Sequence, residues 1–149
     1  NPKTPSKNKS LYLIKKIKMP AEVHEYKDTA ELIAKYDEIK TSGKFFICYF
    51  TGGINPATGD SWCPDCVVAK PSIDKVFEKT SLTVLKGSVD DKTTWCGRSD
   101  HPYKTHPVFS AGGVPSLLLV KGEQVLVRVE DLDDFKNEDL LEQFVDPEE

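Results

Sequence analysis

The spacing of apolar residues changes along the chain, and each change of period marks an element. Val23 to Tyr26 reads as a short strand. Asp28 and Glu31 have the form of a capping box. Behind them Leu32, Ile33, Tyr36 and Ile39 share one face at helical spacing, and Ser42-Gly43 closes the helix. The run Lys44-Phe45-Phe46-Ile47-Cys48-Tyr49-Phe50 is apolar on both alternations, as a central strand covered on both faces requires. A Gly-rich loop, Thr51 to Ser61, leads to a helix from about Pro64 to Lys79 with Pro71 inside it. Leu82 to Val89 is a further strand. Residues 91–113 show no period, hold two His-Pro pairs and read as exposed loop. Ser116–Val120 and Gln124–Val129 form a hairpin about Lys121-Gly122-Glu123. The acidic run Glu130-Asp131, Asp133-Asp134 reads as a solvated helix entry. Asn137 caps a last helix that turns Leu140, Leu141, Phe144 and Val145 inward. Strands alternating with helices and ending in a hairpin predict an α/β fold, a mixed central sheet with helices on both faces.

Composition and charge narrow the classes. The chain has 149 residues, 38% apolar and 30% charged, which suits one globular domain. No apolar run approaches the roughly 20 residues of a spanning helix, so no membrane role is expected. Residues 1–18 carry six lysines and no acids; setting these aside leaves −10 on residues 19–149 out of a whole-chain net of −4. An acidic body argues against nucleic acid as a partner. Residues 1–20 read as a basic disordered extension, or as a leader ahead of Met19, with the domain over 21–149. Leu11 to Ile14 is too short for the apolar core of a signal peptide, so the expected compartment is the cytosol. In that compartment four cysteines point to catalysis or metal binding.

Cys63 and Cys66 stand where a loop enters a helix, in Trp62-Cys63-Pro64-Asp65-Cys66. On spacing alone the pair is a redox dithiol, half a zinc site or two unrelated buried thiols. Its context favours the dithiol. Cys63 falls at the N-cap and Pro64 at the first helical position, where a missing N–H costs nothing. The free N–H groups and the helix dipole there favour a thiolate on Cys63. Cys66, one turn in, is within reach to close a disulfide. Cys63 is thus the expected nucleophile and Cys66 the resolving thiol. Gly113-Val114-Pro115 precedes an apolar strand, where a cis proline would face the dithiol.

These segments resemble the thioredoxin superfamily, and within it the thioredoxin domain-containing protein 17 family. The resemblance covers roughly residues 21–146. It rests on Tyr49-Phe50-Thr51-Gly52, Ser61-Trp62-Cys63-Pro64-Asp65-Cys66-Val67, Lys92-Thr93-Thr94-Trp95 and Val114-Pro115-Ser116-Leu117-Leu118. It implies a thioredoxin fold and a monomeric disulfide reductase without a bound cofactor or metal. Electrons would come from NADPH through thioredoxin reductase, and thiol peroxidase activity would accompany the reductase. The substrates would be small disulfides or exposed disulfides of proteins. A substrate strand would lie between Trp62 with Pro64 and Val114-Pro115, bordered by the long segments Thr51–Ser61 and Asp91–Gly113. The rival reading is a thioredoxin-fold adaptor whose dithiol only senses redox state.

Two features depart from ordinary thioredoxins. Those proteins hold a buried Asp on the central strand beneath the dithiol, and counting along the strand places Cys48 there. A thiol is a poor proton acceptor at neutral pH, which leaves Asp65, water or the substrate to handle the proton of Cys66. Asp65 also opposes the helix dipole at Cys63, so the pair is expected to be reducing. Of the remaining candidates, Cys96, His101 and His106 have metal-like spacing but read as polar loop residues. Gly52-Gly53 and Gly59 lack the Lys-Ser/Thr of a phosphate loop and read as freedom for the chain near the site.

Overall fold

The computed structural model describes residues 20–148. The expectations for residues 1–19, including Met19 as a start, lie outside the described residues. Five strands form one sheet: β1 (Glu22–Tyr26), β2 (Phe45–Gly52), β3 (Thr83–Val89), β4 (Ser116–Lys121) and β5 (Gln124–Val129). Their order is β1-β3-β2-β4-β5. β1 and β2 flank β3 in parallel, while β2–β4 and β4–β5 are antiparallel. The sheet is therefore mixed, with β2 at its centre.

The helices are α1 (Thr29–Ile39), α2 (Pro64–Lys79), α3 (Pro102–Thr105), α4 (Leu132–Phe135) and α5 (Glu138–Glu142). Asp28 caps α1 by accepting from Ala30 N at 2.8 Å and Glu31 N at 3.4 Å. A short 3-10 turn, Lys40–Ser42, ends at Gly43, whose φ of 74° is the left-handed value glycine tolerates. α2 runs from the predicted first residue to the predicted last and passes through Pro71. Asn137 caps α5 by accepting from Leu140 N at 3.1 Å. The acidic run read as a helix entry forms a short helix of its own, α4, separate from α5.

β2 is buried almost throughout, and its alternation divides the core in two. Phe46, Cys48 and Phe50 point into one cluster with Leu32 and Tyr36 of α1. Ile47 and Tyr49 point into the other, with Ala69, Ile73 and Val76 of α2 and with Phe135, Leu141 and Phe144. β4 repeats the division, with Leu118 and Val120 on the first face and Leu117 and Leu119 on the second. An apolar strand on both alternations is thus explained by cover on both faces.

Residues 91–113 correct the sequence reading. They are not an exposed loop. Trp95, Tyr103, Phe109 and Ala111 are buried in the α1-side cluster. The histidines act as local caps. His101 Nδ1 accepts from Tyr103 N at 3.1 Å, and His106 Nδ1 accepts from Val108 N at 3.1 Å and Phe109 N at 3.2 Å. His106 stacks on Phe109 with ring centroids 4.0 Å apart. Burial lowers the pKa of both rings, which favours the neutral form these caps need. Cys96 alone of the three metal-like residues is exposed. Among the described residues no group of three or more metal-ligating side chains is assembled. No helix among them is long and apolar enough to cross a membrane.

Candidate active site

The site is built where three chain segments meet at one end of the sheet. β2 ends at Gly52, α2 begins at Pro64, and β4 is preceded by Val114-Pro115. Between β2 and α2 the loop turns back on itself through a bridge pairing Ile54 with Ser61. Glycine is required for that return. A Cβ on Gly52 would stand 2.8 Å from Ser61 Oγ and from Trp62 Cε2 and 3.0 Å from Cys63 Cβ. A Cβ on Gly53 would overlap Asp90. The glycine pair thus gives the chain its close approach, as the sequence reading expects.

Cys63 is the N-cap of α2 and Pro64 its first residue. Cys66 N donates to Cys63 Sγ at 3.3 Å. The Cys63 thiol in turn donates to the Val114 carbonyl at 3.4 Å. Its backbone N–H is held by Ser61 Oγ at 3.1 Å, and Ser61 Oγ donates to the Gly52 carbonyl at 2.8 Å. Cys66 faces inward, its sulfur accepting from Gly52 N at 3.4 Å. Both cysteines are free thiols and buried, with Cys63 6% and Cys66 3% exposed. The Val114–Pro115 peptide bond is cis. Trp62 is half-buried, and its indole N–H donates to the Val89 carbonyl at 2.6 Å, which fixes the ring.

Burial pushes the Cys63 thiol above its ordinary range, and the adjacent Cys66 thiol adds to the rise. The N–H groups of Cys66 and Asp65 pull the other way. The helix N-terminus therefore acts in the expected sense, but burial outweighs it.

Cys48 is not beneath the dithiol. It belongs to the α1-side cluster, whereas α2 carries both cysteines on the opposite face. The β2 side chains on the dithiol's face are Tyr49 and Thr51, which line a cavity of about 100 Å³ with Cys66, Val67, Lys70 and Lys86. Ile54, Gly59, Asp60 and Ser61 line the same cavity, so the Gly-rich loop borders Cys66. Asp65 is exposed, and among the described residues its carboxylate has no hydrogen-bond or ion-pair partner.

Comparison with known proteins agrees with this geometry. The family model for the thioredoxin domain of thioredoxin domain-containing protein 17-like proteins matches residues 22–147. The chain belongs to this family. Thioredoxin-like protein Clot of Arabidopsis thaliana is 36% identical over 99 residues, 65% of this chain and 72% of that protein. Human thioredoxin domain-containing protein 17 is 31% identical over 113 residues, 66% of this chain and 89% of that protein. An acireductone dioxygenase of Leishmania infantum is 35% identical over 83 residues, 48% of this chain but only 23% of that longer protein. Among solved structures, thioredoxin O2 of Arabidopsis thaliana in its oxidised state matches with a TM-score of 0.55 at 21% identity, covering 84% of this chain and 96% of that one. This member of the family is a thioredoxin-fold redox protein.

One residue the sequence reading misplaced bears on the site. Glu130 is not part of a solvated run. It accepts from Gly112 N at 2.9 Å, two residues before Val114-Pro115, and from Ser116 Oγ at 2.7 Å, directly after it. A long-range contact of this kind leaves no signal in a run of acidic residues.

Proposed function

We propose that the protein is a dithiol–disulfide reductase of the cytosol, with Cys63 as nucleophile and Cys66 as resolving thiol. One observation carries the reading: Cys63 Sγ sits at the helix N-terminus with Cys66 N bonded to it at 3.3 Å, facing the Val114 carbonyl. The substrate seats against Trp62, Pro64, Val114 and Pro115. Cys63 first loses its thiol proton to solvent, and the thiolate attacks one sulfur of the substrate disulfide. As the Cys63–substrate bond forms, the substrate S–S bond breaks, and the departing thiolate takes up a proton. Cys66 then loses its proton and attacks Cys63 Sγ. The internal disulfide forms, the second substrate thiolate leaves and is protonated, and two electrons have passed to the substrate. Asp65, one residue before Cys66 and exposed, is assigned the Cys66 proton through solvent. Thioredoxin reductase, using NADPH, restores the dithiol.

The test is a coupled assay with thioredoxin reductase and NADPH against cystine and a peptide disulfide. Cys63→Ser is expected to abolish turnover. Cys66→Ser is expected to stop at a mixed disulfide on Cys63, seen as an added mass. Equal trapping by both single variants would contradict the assigned roles, and turnover surviving in Cys63→Ser would contradict the mechanism.

A further inference from the structure

Two charged side chains, Arg128 near the end of β5 and Glu130 just past it, grip the segment that faces Cys63. Arg128 donates from Nη1 to the Ser110 carbonyl at 3.3 Å and from Nη2 to the Val108 carbonyl at 3.4 Å. Glu130, two residues on and one past the strand, accepts at Oε2 from Gly112 N and from Ser116 Oγ, whose hydroxyl is shared with the Gly113 carbonyl. The same oxygen lies 3.5 Å from Arg128 Nη1. The pair thus holds residues 108–116 at four points, and two of them bracket Val114-Pro115.

This stretch has no regular structure of its own between Thr105 and Ser116. Its backbone is not relaxed: Ser110 has a φ of 40°, a left-handed value costly for a residue with a Cβ. Gly112 lets the carboxylate lie against the chain, since a Cβ there would be 3.2 Å from Glu130 Oε1. Both side chains are largely shielded, Arg128 31% and Glu130 26% exposed. Hydrogen bonds to a charged partner in such a setting are stronger and more directional than neutral ones.

We propose that Glu130, backed by Arg128, is a positioning residue for disulfide exchange: it holds the Val114-Pro115 wall at the distance from Cys63 at which a substrate disulfide is seated. The proposal rests on the reductase reading for its kinetic consequence. It also has a consequence that needs no substrate. The Val114 carbonyl accepts from the Cys63 thiol, and an acceptor for the neutral form keeps a thiol protonated. When the wall is released, Cys63 loses that acceptor and ionises at lower pH.

The experiment compares the parent with Glu130→Ala, Glu130→Gln and Arg128→Gln. Two quantities are read below the melting temperature: steady-state kinetics on a peptide disulfide, and the pH profile of Cys63 alkylation by iodoacetamide. Glu130→Ala removes both hydrogen bonds to the wall and is expected to raise KM by about tenfold or more, with kcat nearly unchanged. Its alkylation profile is expected to move to lower pH. Glu130→Gln retains an acceptor oxygen and is expected to fall between Ala and the parent. Arg128→Gln is expected to move both readouts in the same direction by less. A lowered melting temperature with KM and alkylation profile unchanged would overturn the proposal, because that is the signature of a merely structural contact. If the parent reduces no disulfide, the reductase reading fails, and the alkylation profile alone decides whether Glu130 positions the wall.

Discussion

At Cys63 and Cys48 burial acts on the same chemical group with different opposition. The two N–H groups at the start of α2 partly offset burial at Cys63. Nothing offsets it at Cys48, which lies fully buried among apolar side chains and has its pKa raised by desolvation alone. Both thiols stay protonated in the folded chain at pH values where the unfolded chain loses those protons. A raised acid pKa means the folded state binds more protons above the unfolded value of about 8.5, so stability falls as pH rises beyond it. The loss approaches about 1.4 kcal/mol per pH unit for each such thiol. The window is about pH 8.5 to 10, since Tyr36 and Tyr49, both raised to about 12, begin to contribute above the ordinary tyrosine pKa near 10. Urea unfolding at steps across that window is expected to show the decline, and Cys48→Ala is expected to flatten it. A slope unaltered by Cys48→Ala would mean that Cys48 titrates alike in both states.

At the scale of elements, segment 91–113 covers the α1 side of the sheet with little regular structure beyond α3. Tyr103 is fully buried in it, against Gly87 of β3. Its hydroxyl is buried and has no hydrogen-bond partner among the described residues. An unpaired buried hydroxyl costs about 1–3 kcal/mol, so Tyr103→Phe is expected to raise stability by about 1 kcal/mol. Thermal melting checks this, and a drop in melting temperature would show that the hydroxyl has a partner. The irregularity of this segment is also why it was not legible in the sequence. Trp95, Tyr103, Phe109 and Ala111 recur at no helical or strand period, and the two His-Pro pairs look like loop residues until their Nδ1 atoms are seen capping backbone N–H groups. β2, α1 and α2 were legible because each carries its own period, cap or proline signal. Cys48 shows the limit of that reading. In a strand a shift of one residue reverses the face, so locating it in β2 did not locate it relative to the dithiol. Glu130 was illegible for another reason, since its partners lie 14 and 18 residues away on a different segment.

The whole molecule converts these local arrangements into a poised pair of sulfurs. A central strand buried on both faces anchors Gly52, the helix dipole and two N–H groups meet Cys63, and Glu130, just past β5, is bonded to the segment opposite. The fold, and the placing of Cys63 and Cys66 at the start of a helix, are legible in the sequence, because the strand–loop–helix order around the two cysteines is local. The sheet edge that braces the site is not. The balance at Cys63 also sets the direction of chemistry. A pair that stabilises its thiolate strongly prefers to stay reduced and acts as an oxidant, whereas here burial disfavours the thiolate. The dithiol should therefore give up its electrons readily. The most direct test is the reduction potential of Cys63–Cys66, measured by equilibrating the protein with dithiothreitol buffers and counting free thiols by mass. The account predicts a value within tens of millivolts of about −270 mV, the range of reducing dithiols. A value near about −120 mV, typical of an oxidant, or a failure of Cys63 and Cys66 to form a disulfide at all, would contradict it.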